Sequence, residues 1–163
     1  MAIEIREASE DEWEAVRDLR LRALREDPEA YGSTFERESL RTEGEWRARL
    51  SDAARATFVA DADGRLAGTA VAAPWEEVGG PLGLFGMWVD PACRGRGIGA
   101  RLVHRVLAHA RERGESLVQL EVAEPQAAAR RLYERCGFVD TGERLKVRES
   151  DERPTGIVMS RRP

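Results

Sequence analysis

Three glycines and two arginines are packed into the stretch Arg94-Gly95-Arg96-Gly97-Ile98-Gly99. An apolar run, Leu84 to Val89, leads into it and is stopped by Asp90-Pro91. Behind it, Ile98, Leu102, Val106 and Ala110 recur at helical spacing, widened by Val103 and Leu107. The order is therefore strand, turn, helix. Backbone without side chains can direct several N–H groups at one anion. A helix N-terminus adds its dipole and its unpaired donors, and Arg94 or Arg96 can add charge-assisted contacts. Such a loop suits a pyrophosphate or a similar group, with no lysine and no metal required. It is not the dinucleotide pattern G-x-G-x-x-G, because Leu102 stands where the last glycine belongs. Nor does Gly-Lys-Ser/Thr follow, as a nucleoside-triphosphate loop requires. Taken alone, these residues also fit a plain tight turn before a helix.

Other residues with chemical potential are scattered. His104 and His109 lie on the helix after the loop with no metal partner, and fit surface or half-buried histidines. Cys93 and Cys136 have no metal-ligand spacing and form no disulfide framework, so they are expected as two reduced thiols. No metal site is expected. Trp13 and Trp46 read as core residues.

These groups need a scaffold. Ile3 and Ile5 alternate with polar residues as a first strand. Ser9 stands as an N-cap before Asp11-Glu12, and a helix follows through Trp13, Val16, Leu19, Ala23 and Leu24 to Asp27-Pro28. Tyr31 to Ser39 is irregular, and Glu43 to Leu50 predicts a second helix. Thr57 to Ala60 and Leu66 to Ala73 are strands joined by Asp61-Ala62-Asp63-Gly64, a hairpin turn. A glycine-rich loop, 76–81, precedes the strand Leu84 to Val89. Gly114 closes the helix after the anion loop. Leu117 to Val122 is a strand. Pro125 opens a helix running to Cys136, with Gly137 as its left-handed stop and Phe138 packing back. Val139 to Val147 and Thr155 to Met159 complete a strand pair. The succession predicts one mixed α/β domain over residues 1–163, a mixed sheet flanked by helices.

Composition narrows the function. The 163 residues carry 30 acidic and 26 basic side chains, a formal net charge of -4, with 42% apolar residues. A chain of this size can bury a core, and the charge balance argues against broad nucleic-acid binding. Apolar runs such as Leu66 to Pro74 are too short to cross a bilayer. The first residues show no basic start and apolar stretch of a secretory signal, so a cytoplasmic location is expected.

The sequence resembles the GNAT superfamily of acyl-coenzyme A-dependent N-acetyltransferases. The family signature is Arg or Gln, two residues, Gly, one residue, Gly or Ala after an apolar strand, and Arg94, Gly97 and Gly99 fill it. A second block, Ala129-Arg130-Arg131-Leu132-Tyr133-Glu134-Arg135-Cys136-Gly137-Phe138, is similar to the family helix that ends in Tyr and then Gly-Phe. The resemblance implies a mostly antiparallel sheet splayed between its fourth and fifth strands, Leu84 to Val89 and Leu117 to Val122. It also implies acetyl-coenzyme A in that gap. Met87, Trp88 and Val89 would pair with the pantetheine arm, and Arg94, Gly95, Arg96, Gly97, Ile98, Gly99 and Ala100 would grip the pyrophosphate. An asparagine common in the family near that arm is replaced here by Gln126. Arg101 lies near enough to the loop to touch phosphates.

The implied reaction is direct attack of an amine on the thioester, giving an N-acetyltransferase for a small-molecule or peptide amine. Tyr133 is the implied proton donor to the leaving thiolate, with a tyrosine covering the core edge as the competing reading. Leu132 and Cys136 mark the buried stripe of its helix, and Tyr133 is offset from them. A backbone N–H at Met87 or Trp88 is the implied oxyanion donor. Glu121, on one face of its strand with Leu117 and Gln119, is the candidate base. A solvated or ion-paired glutamate is the alternative, and Glu76 and Glu77 are rivals. Tyr31, Phe35 and Trp75 fall in segments that wall the acceptor site in the family. Homodimers are common in it. The same fold without turnover would be an acyl-coenzyme A sensor, the alternative function.

Overall fold

Residues 56–60 and 66–74 carry alanines, Phe58, Val59, Leu66 and Val71 in two largely apolar runs, which suits strands covered on both faces. The computed structural model, which describes residues 1–76, 79–146 and 155–163, places them inside a seven-stranded sheet as its second and third strands. Its strands are β1 (Ile3–Glu7), β2 (Ala56–Ala62), β3 (Arg65–Pro74), β4 (Leu82–Val89), β5 (Val118–Ala123), β6 (Val139–Lys146) and β7 (Thr155–Arg161). They run in the order β1-β2-β3-β4-β5-β7-β6. Every pairing is antiparallel except β4 with β5. The helices are α1 (Trp13–Glu26), α2 (Phe35–Ser39), α3 (Glu43–Ser51), α4 (Ile98–Glu112) and α5 (Ala127–Arg135).

Both faces of the sheet are covered. The stripe Ile98, Leu102, Val103, Val106, Leu107 and Ala110 of α4 is buried against Phe58, Ala60, Leu84 and Leu120, with Tyr133, Cys136 and Phe138 in the same cluster. On the opposite face Val16, Leu19, Ala23 and Leu24 of α1 pack with Val59, Leu66, Trp88 and Tyr31. β4 is thus held between α1 and α4.

Local chemistry explains most element ends. The β2–β3 turn is tighter than expected: the strands run to Ala62 and Arg65, and the two residues between, Asp63 and Gly64, have φ of 52° and 90°, the mirror-image geometry that hairpins favour. Ser9 caps a short 3-10 turn, Glu10–Glu12, rather than α1 itself. α2, absent from the sequence reading, forms because the Thr34 hydroxyl accepts from Arg37 N at 3.1 Å. α3 opens on a capping box between Thr42 and Glu45. Pro125 lies outside α5, because Gln126 at φ -81°, ψ 59° is the N-cap and helical geometry starts at Ala127. The other end of α5 is as expected. Gly137 (φ 87°) donates to Glu134 O and Phe138 N donates to Tyr133 O, both at 3.0 Å, a Schellman closure. The expected end of β6 at Val147 lies outside the described residues.

Candidate active site

β4 and β5 start side by side and then part. Only Leu82 with Val118 and Gly83 with Gln119 are in register, so beyond them each strand turns an unpaired edge toward the other. A second irregularity sits in the same place. β3 and β4 slip register between Thr69–Trp88 and Val71–Phe85, leaving Gly86 and Met87 without ladder partners on β3. Gly86 has φ 59°, a left-handed conformation that glycine adopts without strain, and the extra residue bends the strand. An isolated glycine in a strand signals such a bulge.

The parting opens a cavity of about 740 Å³. Met87, Trp88, Val89, Arg94, Gly95, Gly97, Ile98, Gly99, Ala100, Gln126, Glu121 and Tyr133 all line it, so the sequence-derived residues converge on one space. Arg96 is exposed and does not line it. Arg101 does not either; its guanidinium donates to Ile3 O at 2.9 Å, which ties it to β1. Glu76 is exposed and away from the cavity, and Glu77 lies outside the described residues. His104 lines the cavity from an exposed position, and His109 packs edge-on against Phe58, 5.5 Å between centroids.

The three loop glycines serve different ends. Gly95 and Gly97 both have φ 76°, with open space where a Cβ would stand. Gly99 has ordinary backbone, but a Cβ there would meet Leu132 Cδ2 at 2.9 Å, so its absence lets α4 approach α5. Gly97 is the N-cap of α4 and supplies no side chain to its first N–H groups, and no acidic residue stands in the first turn. The helix therefore presents bare donors to the cavity, and the cradle fits an anionic group.

Residues outside the motif hold this edge in place. Asp27, just past α1, accepts from Trp88 Nε1 at 2.9 Å and from Arg94 Nη2 at 3.2 Å. Arg94 Nε also donates to Val89 O at 2.9 Å. Tyr31, buried, donates from its hydroxyl to Met87 O at 3.1 Å. Burial raises its phenol well above the ordinary value. Phe35 packs beneath Arg25, 4.4 Å from guanidinium carbon to ring centroid, and Trp75 stacks on Phe85 at 5.7 Å; neither lines the cavity.

Tyr133 corrects the sequence reading. It is not offset from the buried stripe of α5 but part of it, 6% exposed, with its ring 6.1 Å from Phe138. Positions 129, 132, 133 and 136 form one face, and Tyr133 and Cys136 are its most buried members. Its hydroxyl has no hydrogen-bond partner among the described residues, and burial pushes its ionisation far above the ordinary phenol value. The group stays protonated at any working pH. Glu121 lies on the outward face of β5, exposed at the cavity rim, and the partial burial that remains raises its carboxyl. Its side chain crosses β7 at Gly156, where a Cβ would collide with the carboxyl.

Comparison with known proteins bears on the family and the fold. A model of the Acetyltransferase (GNAT) family matches residues 13–138. A mycothiol acetyltransferase of Thermobispora bispora is 40% identical over 133 residues, covering 79% of this chain and 42% of that protein. The chain spans about half the length, or less, of the curated relatives it matches. A GNAT-family acetyltransferase from Streptococcus pneumoniae superposes with a TM-score of 0.84 at 21% identity, covering 99% of this chain and 100% of that one. An acetyltransferase-like protein from Salmonella typhimurium, solved with its cofactor acetyl-CoA, gives 0.78 at 20% identity, covering 99% and 94%. Among the described residues, no group of three or more His, Cys, Asp or Glu side chains could hold a metal, and no helix is long and apolar enough to cross a membrane.

Proposed function

The chain belongs to the GNAT family of acetyltransferases, and from that premise we propose that it moves an acetyl group from acetyl-CoA to a primary amine by direct attack. The observation that carries the reading is the opened sheet. An unpaired, bulged β4 edge faces the partnerless Tyr133 hydroxyl across one cavity, with the bare N-terminus of α4 at its end. That arrangement suits a long ligand with an anionic end and an acyl end.

In this proposal the amides of Gly95 to Ala100, with Arg94, hold the pyrophosphate. The β4 edge from Met87 to Val89 pairs with the pantetheine arm, and Gln126 stands beside it. The N–H of Met87 or Trp88 stabilises the negative charge that develops on the thioester oxygen. Gly86 favours Met87 for this role, because the bulge leaves Met87 without a ladder partner on β3, whereas Trp88 stays in register with Thr69. The amine nitrogen bonds to the acyl carbon, the C–S bond breaks, and the thiolate takes the Tyr133 proton. A phenol raised by burial is a poor acid toward a thiolate in water. Burial also lifts the Cys136 thiol, which lines the same space, so a thiolate released there would hold a proton more tightly than in water.

The amine must reach the acyl carbon neutral, and a lysine-like amine with a pKa near 10.4 is about three units from that at neutral pH. Glu121 is assigned as the base, directly or through water. Its raised carboxyl and rim position support the role. The test is thiol release from acetyl-CoA with a panel of amines of different pKa. Amine-dependent release is expected. It should show a pH limb that stays fixed across amines and disappears in Glu121→Gln. Tight coenzyme A binding with no amine-dependent release would leave the chain a binding module instead. A limb that survives in the variant would remove Glu121 from the mechanism.

A further inference from the structure

Beside the bulge, on the α1 side of the sheet, lies a second and smaller cavity of about 80 Å³. Arg20, Phe85 and Gly86 line both spaces, so the two meet at the place where the acyl group would sit. The walls of the smaller one are cationic. Arg20 comes from α1, Arg49 from α3 and Arg55 from the turn before β2, with Trp46, Thr57 and Thr69 completing the polar lining.

The charges do not balance. Glu38, 2% exposed, is the carboxylate that hydrogen-bonds into the group, and Arg20 takes it through Nε at 2.7 Å. Burial alone would raise Glu38, yet the bond from Arg20 and the charges of Arg20, Arg49 and Arg41 together lower it. Arg41, Arg49 and Arg55 form no ion pair among the described residues. Burial, then Arg55 and Arg41, push the Arg49 guanidinium down to about 10, so it is still charged at neutral pH but held at a cost. Burial lowers Arg55 too; Asp52 opposes this, while Arg41 and Arg20 add to it.

Donors are also left over. Trp46 is 3% exposed and its Nε1 is buried without a partner, as are Arg20 Nη1 and Arg55 Nε. A protein rarely buries several unpaired donors and like charges together unless something fills the space between them. Arg20 is fixed in place by Glu38 on one edge and by the Tyr31 ring 4.6 Å below. Its free Nη1 lies 3.7 Å from the Cβ position of Gly86.

Building on the acetyl-transfer reading, we propose that this pocket is the acceptor's anchor, and that the acceptor is an amine carrying an oxyanion, a carboxylate or a phosphate. The fork of donors on each guanidinium matches either group. The volume is a little under three times the share of one liquid water, about 30 Å³, so the oxyanion enters and the rest of the acceptor stays in the larger cavity. The closeness of Arg20 to Gly86 calls for a short acceptor, amino-acid-like in its spacing.

Matched pairs test this: alanine against ethylamine, phenylalanine against phenethylamine, phosphoethanolamine against ethanolamine, with wild type and Arg49→Gln. Wild type should favour the anionic member. Arg49→Gln should cut that preference by about 10- to 100-fold, the worth of one or two charge-assisted hydrogen bonds, mainly through KM. Ethylamine, which carries no oxyanion to anchor, should respond far less. The melting temperature should hold or rise, since an uncompensated charge leaves a crowd of like charges. If it falls instead, Arg49 is structural, and Arg55→Gln carries the same comparison. Calorimetry separates this inference from the reading it rests on. The same amino acids and phosphoethanolamine, titrated into coenzyme A-loaded protein, should bind wild type and not the variant even if nothing is acetylated. The pair that responds names the oxyanion. No preference for anionic amines in wild type, with no anion binding by calorimetry, overturns the proposal.

Discussion

The two sides of the cavity are built by opposite means. On one side a single run, from Leu82 through α4, supplies strand edge, glycine loop and helix N-terminus, and the groups proposed to face the ligand there are mainly backbone amides. On the other side α1, α3, the turn before β2, and β2, β3 and β4 each contribute one to three side chains, and the polar groups among them are guanidiniums, an indole and hydroxyls. Backbone donors are set by φ and ψ, so a short glycine pattern suffices to specify them. Side-chain donors must be held by other side chains, as Glu38 and Tyr31 hold Arg20, and that support is costly in buried charge. One side can be read as a motif; the other exists only after folding.

Substitutions can sharpen or break this contrast. The largest effect is expected at the proton donor, which lines the larger cavity alone. Tyr133→Phe keeps the ring that packs on Phe138 and removes only the proton donor, so kcat should fall about 10²-fold. Coenzyme A affinity and melting temperature should be unchanged. An unaltered kcat, where chemistry limits the rate, would return Tyr133 to a purely structural role.

The next effect belongs to the backbone side. Gly97→Asp forces a side chain onto φ 76° and puts a negative charge in the anion cradle. Coenzyme A affinity should drop about tenfold or more, while any preference among bound amines is kept. Wild-type affinity by calorimetry would break the assignment of this loop. A smaller loss is expected at the brace between the sides. Asp27→Ala strips the partner from the Trp88 indole and from Arg94. Denaturant unfolding should show a loss of about 1–2 kcal/mol, and no loss would mean that the brace is dispensable.

The smallest effect carries a sign. Glu121 has its carboxyl raised in the fold, so the folded state binds its proton more tightly than the unfolded chain does. Stability from this group is full below the ordinary carboxyl pKa and is lost as pH rises through the raised one. At neutral pH the ionised Glu121 is therefore a small burden. Glu121→Gln should melt slightly above wild type at pH 7, with the gap closing below about pH 4. A variant that melts lower at pH 7 would show that Glu121 has a stabilising partner.

This contrast also explains what could be read in advance. The strand before Arg94, the α4 stripe and the Gly137-Phe138 closure are local patterns, and their residues lie where the spacing puts them. The burial of Tyr133 does not follow from the spacing of Leu132 and Cys136, which alone define the wrong centre for a stripe that takes in 133 as well. The preference of proline for first turns points to a start of α5 at Pro125, whereas the Gln126 N-cap moves the start two residues on. The bulge at Gly86 had a signal, a lone glycine in a strand, whose meaning depends on the register with β3. Arg20, Arg49 and Arg55 had none. Each resembles any other of the 26 basic residues, and only the sheet brings them together. Asp27 read as a helix stop, and nothing nearby announces that its carboxylate reaches Trp88 sixty-one residues later.

The parting of β4 from β5 also bears on how the protein survives without its ligand. Sheets usually keep bare edges at their margins and blunt them with charge, proline or twist, because a row of free amides and carbonyls recruits foreign strands. Here two such rows lie in the middle of the fold, joined by two residue pairs at one end. A coenzyme seated between them would act as the missing strand, and by mass action it would add RT ln(1 + [L]/Kd) to the stability of the whole. The emptied protein, in turn, carries an aggregation hazard at its centre. Purification and storage with coenzyme A present should therefore preserve it better than any change made at the outer strands β1 and β6.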